Sequence, residues 1–290
     1  MYLQLCDMKN IFLVVFVFAY LFSNAQKKPA YVLYNKKGRQ VSYHKMIRIL
    51  KEKDIVLFGE FHNNPIDHWL ELEVARDLLS QRNIVLGAEM IETDNQLALD
   101  LYLQGSITAK GLDSMARLWK NYPTDYAPLV NFAKEKQLDF AATNVPRRYA
   151  SLVAKGGFEA LDTLSSSEKK WIAPLPIEYD STLPGYKNML TMMSGHGGPN
   201  LPKAQAIKDA TMANSILKYF KPGSLFIHYN GSYHSENYEG ILWYLKRKRP
   251  GLKYATITTV SQADIHQLEE KNKGKANFTI CVDADMTNTY

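Results

Sequence analysis

Thiols are nearly missing from this chain: its 290 residues carry only Cys6 and Cys281. Cys6 lies ahead of the first apolar run. Cys281 falls inside an apolar segment and reads as a buried thiol. A disulfide scaffold, a C-x-x-C redox pair and a C-x-x-C-H attachment sequence are therefore excluded. The chain also lacks a G-x-x-x-x-G-K-[ST] phosphate loop, a G-x-G-x-x-G turn and an H-E-x-x-H helix. Ser232 has no G-x-S-x-G setting, which argues against a serine hydrolase. No dense basic patch with interleaved aromatics occurs, so nucleic acid is not expected as a partner. The strongest basic run, Lys246-Arg-Lys-Arg249, closes a predicted helix, where cations suit the dipole and the solvent. Internal repeats and low-complexity tracts are absent.

The composition is that of a globular protein, 46% hydrophobic with a net charge of +6. That excess of positive charge suits anionic envelope surfaces. Residues 1–25 read as an export signal: Lys9, then the apolar Ile11–Phe22, then Ser23-Asn24-Ala25. The apolar run is short of the roughly 20 residues needed to span a bilayer. Met8 is a second candidate start, and cleavage is expected after Ala25. An N-terminal cysteine for lipid attachment is not placed after this leader, so the mature protein is expected in the periplasm or cell envelope without a lipid tether.

Residues 26–44 are polar and read as a linker; 45–290 read as one domain. Strands are predicted at 54–59, 83–89, 138–144, 224–229 and 253–260, with a sixth at 278–282. Helices are expected between them, one starting at Asn64-Pro65, an N-cap followed by proline at the first helical position. Strands alternating with helices predict an α/β fold, a mainly parallel sheet with helices on both faces. Their uninterrupted apolar runs suit strands covered on both sides. Residues from about 147 to 200 break the rhythm and predict a small helical insertion, a lid over the sheet end.

Three strands stop on polar residues: Gly59-Glu60-Phe61-His62, Gly87-Ala88-Glu89 and Gly231-Ser232-Tyr233-His234. In a parallel α/β sheet the ligand crevice lies beyond the carboxyl ends of the strands. Glu60, His62, Glu89 and His234 are thus expected to meet there as a divalent-metal or cofactor site. Glu60 and His62, two apart, point to the same side of an extended chain. Glu89 needs a partner in so apolar a run, either the site itself or an arginine such as Arg147 or Arg148. His228, inside its strand, reads as a core histidine. Gln205, Asp209 and Met212 share one helix face, which reads first as plain amphipathicity, the alternatives being that Asp209 reaches the site or binds the loop carrying Arg147.

These motifs, together with Asn63-Asn64-Pro65, Asn144-Val-Pro-Arg147, and Gln205 with Asp209-Ala-Thr-Met-Ala213, carry a resemblance. Over roughly 45–245 the chain resembles the ChaN-like haem-binding uptake proteins of the Tiki, TraB and erythromycin-esterase-like superfamily. The resemblance implies an α/β sheet with a small helical part, haem held between them, often across a homodimer, and iron acquisition with an outer-membrane haem transport system as partner. Tyr122, Tyr126, Tyr186 and His196 are candidate haem ligands by chemistry, with Arg147 as a further contact. The alternative is a metal-dependent hydrolase of peptidase or esterase type. There Glu60, His62, Glu89 and His234 would hold the ion and Glu60 or Glu89 would serve as general base.

Overall fold

The computed structural model describes residues 28–192 and 198–290. The leader expected at 1–25 and the candidate ligand His196 lie outside the described residues. In chain order the elements are β1 (Tyr31–Asn35), α1 (Tyr43–Leu50), β2 (Ile55–Glu60), α2 (Pro65–Leu79), β3 (Ile84–Glu92), α3 (Gln96–Leu103), α4 (Ala109–Met115), α5 (Ala127–Glu135) and β4 (Phe140–Asn144). Then follow α6 (Arg147–Gly156), α7 (Pro184–Met192), α8 (Leu201–Tyr219), β5 (Leu225–Gly231), α9 (Ile241–Lys248), β6 (Tyr254–Gln262) and β7 (Phe278–Asp283).

The seven strands form one sheet in the order β1-β7-β6-β2-β5-β3-β4. All neighbours are parallel except β1, which runs antiparallel to β7. The expected α/β fold is therefore present. The segment 26–44 departs from the linker reading. It contributes edge strand β1, whose Leu33 and Tyr34 are buried, with the Tyr34 hydroxyl donated to the Ile265 carbonyl at 2.5 Å.

The pleat explains how one apolar strand serves two cores. Val56 and Phe58 of β2 face a layer built by α1 to α5, with Met46, Leu70, Val74, Leu99 and Val130. Ile55 and Leu57 face the opposite layer of α6, α8 and α9, with Val153, Ile207, Ile216 and Leu245. β2, β3 and β5 are buried along their whole length, so a polar residue within them needs a hydrogen-bond partner, as His228 has, or a place at the sheet end.

The predicted start of α2 forms as expected: Asn64 Oδ1 accepts from the Ile66 and Asp67 amides, and Pro65 occupies the first helical position. The segment from 147 to 200 packs through α6 and α7 against α8, and the amide of Gly185 donates to Glu239. Among the described residues no helix is long and apolar enough to cross a membrane. Lys246–Arg249 is solvent-exposed, as expected of a helix end.

Candidate functional site

Strand register assembles the site. Glu60 at the end of β2 lies opposite Gly231 of β5, and Ala88 of β3 lies opposite Tyr229. Glu60, Gly231 and Glu89 thus share one end of three adjacent strands. A cleft of about 850 Å3 opens there, and Glu60, His62, Glu89 and His234 all line it. Gly231 is required by close approach: a Cβ there would sit 2.8 Å from the His62 ring.

The four residues form two pairs. His62 Nδ1 lies 2.8 Å from Glu60 Oε1, and His234 Nε2 lies 3.2 Å from Glu89 Oε1. Each pair draws in further groups. On the β3 side, Glu89 Oε2 accepts from the Gly231 amide at 2.8 Å. His234 Nδ1 is 2.5 Å from Asp209 Oδ1, and Gln205 Nε2 is 3.0 Å from the same ring nitrogen. The Tyr186 hydroxyl donates to Asp209 Oδ2 at 2.9 Å. Asp209 thus reaches the site rather than the Arg147 loop. Glu89 pairs with a histidine, and Arg148 pairs instead with Asp94. Gly240, just before α9, is held at φ +52° beneath the His234 carbonyl, where a side chain has no room.

On the β2 side, Glu60 Oε1 also accepts from the Tyr126 hydroxyl at 2.8 Å. His68 and Glu71 approach from α2: His68 Nδ1 is 3.3 Å from Glu60 Oε2 and 3.4 Å from Glu71 Oε2. His68 Nε2 lies 3.2 Å from the His62 carbonyl and 3.5 Å from Asp125 Oδ2. Asn121 Nδ2 donates to that same carbonyl and to Asp125. Asp67 accepts from the Phe61 amide and from the Thr259 hydroxyl. The Trp119 ring meets His62 edge-on, centroids 4.8 Å apart, and fixes its plane.

Proton affinities differ between the two sides, although burial raises Asp209 on the β3 side as well, against His234 and Tyr186. Burial alone would raise Glu89, but His234, His62 and the Gly231 amide outweigh it and hold the carboxyl far below its usual range. Burial would lower His234, yet Glu89 and Asp209 lift it to about 9. His62 moves up as well, the opposing burial being outweighed by Glu60 and Glu89. On the β2 side burial wins. It pushes Asp67 up to about 7 against its two hydrogen bonds, and pushes Glu71 well above its usual range with Glu60 adding to the effect.

His228 is a core histidine, buried between the Thr143 hydroxyl and Asn230, with its pKa lowered by burial to about 4. Of the candidates proposed for haem, Tyr126 and Tyr186 join the two side-chain networks of the site. Tyr122, Tyr126 and Tyr186 are buried, the last two with hydroxyls engaged by carboxylates, while Arg147 is exposed. Sequence reasoning missed His68, Glu71 and Asp67. The signal was present: Asp67 and Glu71 fall at the helical phase of Val74 and Leu78, the buried stripe of α2.

Residues 46–245 match the family described as haem-binding uptake, Tiki superfamily, ChaN. Among solved structures, the chain is similar to ChaN of Campylobacter jejuni, described for its cofacial haem binding, with a TM-score of 0.67 and 18% identity. That likeness covers 88% of this chain and 98% of the other. Lower likeness extends to a mutant of the erythromycin esterase EreC in its open conformation (TM-score 0.48, 10% identity, 86% of this chain and 82% of that). It also extends to RRSP, a MARTX toxin effector domain of Vibrio vulnificus CMCP6 (TM-score 0.47, 15% identity, 84% and 38%). No curated protein matches. The matched family is described by haem binding and does not favour the hydrolase alternative. With some two thirds of its length inside that match, the chain belongs to the haem-binding uptake family, ChaN, of the Tiki superfamily.

Proposed function

We propose that this protein binds haem in the cleft at the ends of β2, β5 and β3, and serves iron acquisition as an exported protein. The observation that carries the reading, beside the family, is His62. It is the site imidazole left open, with 39% of its side chain exposed against 7% for both His68 and His234. Its Nδ1 is held by Glu60, which leaves Nε2 at the cleft wall. A carboxylate on one ring nitrogen orients the other toward a metal and raises its basicity. The residues fit the group. An imidazole is an ordinary iron ligand, and Lys208, Lys271 and Lys275 around the cleft offer cations to propionates. Bound haem would supply the iron being carried, and this chain's residues hold and orient it.

The ligand is then His62 rather than Tyr126 or Tyr186, because a hydroxyl already donated to a buried carboxylate is costly to withdraw. The apolar leader and its small-residue end support export. Haem held against a second copy of the chain, then passed to an outer-membrane haem transport system, completes the proposal. Titration of the mature protein with haemin tests it. A saturable Soret shift that His62→Ala abolishes is expected. A shift kept by His62→Ala and lost by His196→Ala would move the ligand to the insertion, and no saturable shift would defeat the reading.

A further inference from the structure

We propose that Glu60, His68 and Glu71 form a second, buried site that takes one divalent metal ion, behind the cleft and separate from the exposed face of His62. The inference does not rest on haem binding.

His68 Nε2 faces the carbonyl oxygen of His62 at 3.2 Å, and a carbonyl only accepts. Nε2 therefore carries the proton, and in the neutral ring Nδ1 presents a lone pair. That lone pair points at two carboxylates, Glu60 Oε2 at 3.3 Å and Glu71 Oε2 at 3.4 Å. With the ring neutral and both carboxyls ionised, three acceptors converge, and a proton or a metal ion must then lie among them. The spacing suits an ion: with metal–ligand bonds of roughly 2.0–2.1 Å, tetrahedral ligands stand about 3.4 Å apart. One donor atom from each of the three residues lies within 4.8 Å of the others.

Burial makes the arrangement expensive without a ligand. Glu60 is 3% exposed and Glu71 not at all. Among the described residues, Glu60 Oε2 and Glu71 Oε1 have no hydrogen-bond donor. Asp67 and Asp125 add two more buried carboxylates close by. Among the described residues, no lysine or arginine pairs with any of the four. Two carboxylates and an imidazole are a donor set for Zn2+, Mn2+ or Fe2+. The His62 carbonyl on Nε2 is the outer contact that fixes a metal-binding histidine in its tautomer. Access is available because Glu60 also lines the cleft.

The simplest rival is a proton, either on His68 Nδ1, where the imidazolium would donate to Glu71, or shared between Glu60 and Glu71. Metal uptake decides between them. The mature protein is stripped with a chelator and then titrated with Zn2+ or Mn2+ against a chromophoric competitor, and bound metal is measured by elemental analysis. About one ion per chain is expected. Glu71→Gln and His68→Gln are expected to weaken binding at least about tenfold, with circular dichroism unchanged. Glu89→Gln and His234→Gln should bind as the parent does. Absence of uptake by the parent protein overturns the proposal without any variant. Uptake that survives Glu71→Gln and His68→Gln but fails in His234→Gln overturns it too, since the ion would then sit on the β3 side. The readout is metal content, so failure of haem binding would leave it untouched.

Discussion

Two clusters of carboxylate and imidazole sit side by side at one end of the sheet, and their charges are settled in opposite ways. On the β3 side, His234 lies between Glu89 and Asp209, and the Gly231 amide, Gln205 and the Tyr186 hydroxyl take up neighbouring positions. On the β2 side, Glu60, Asp67, Glu71 and Asp125 crowd around His68, and two carboxylate oxygens lack a donor among the described residues. The first cluster has the form of a satisfied network, which rigidifies a fold. The second carries more buried acceptors than donors, which is how a binding site for a cation or a proton differs from a structural one.

Breaking the satisfied side should cost most. His234→Ala leaves Glu89 and Asp209 buried and unpaired, with an expected loss of about 3–5 kcal/mol in urea denaturation. On the β2 side, Tyr126→Phe removes the hydroxyl donated to Glu60, for about 1.5–3 kcal/mol. Glu71→Gln in metal-free protein should change stability by less than about 1 kcal/mol in either direction, because the carboxyl it replaces is held protonated. A large loss for Glu71→Gln and a small one for His234→Ala would invert the comparison.

Dependence on pH sharpens the same contrast. His234 titrates at about 9 in the folded chain against an ordinary 6.5, so the folded state holds a proton that the unfolded chain gives up. Its contribution is full below about pH 6.5 and disappears as pH rises through about 9. Asp67 is also raised, from 3.8 to about 7, so stability falls as pH rises between those two values. Urea midpoints measured from pH 4 to 10 should show both declines. Asp67→Asn should shrink the lower one, to which the raised Glu71 and Asp209 also contribute, and His234→Ala should act on the upper.

Much of this was legible beforehand because strands buried on both faces leave a simple trace. The apolar runs before Glu60, Glu89 and Gly231 marked β2, β3 and β5, and Asn64-Pro65 marked α2. Edge strand β1 escaped notice because Tyr31–Asn35 is short and half-buried, flanked by polar residues that resemble a linker. His68 and Glu71 escaped for a different reason. Their partner Glu60 lies on another element, and within α2 a histidine and a glutamate one turn apart look like an ordinary polar pair.

Local chemistry, written in the order of residues, decided the elements and which side chains would stand at the strand ends. Only the packed fold decided who pairs with whom: Glu89 with His234 rather than an arginine, Asp209 with His234, and Glu71 with His68 beside Glu60. Periodicity is a property of neighbours along the chain, whereas charge pairing in a water-poor interior depends on distances of a few ångströms between elements far apart in sequence.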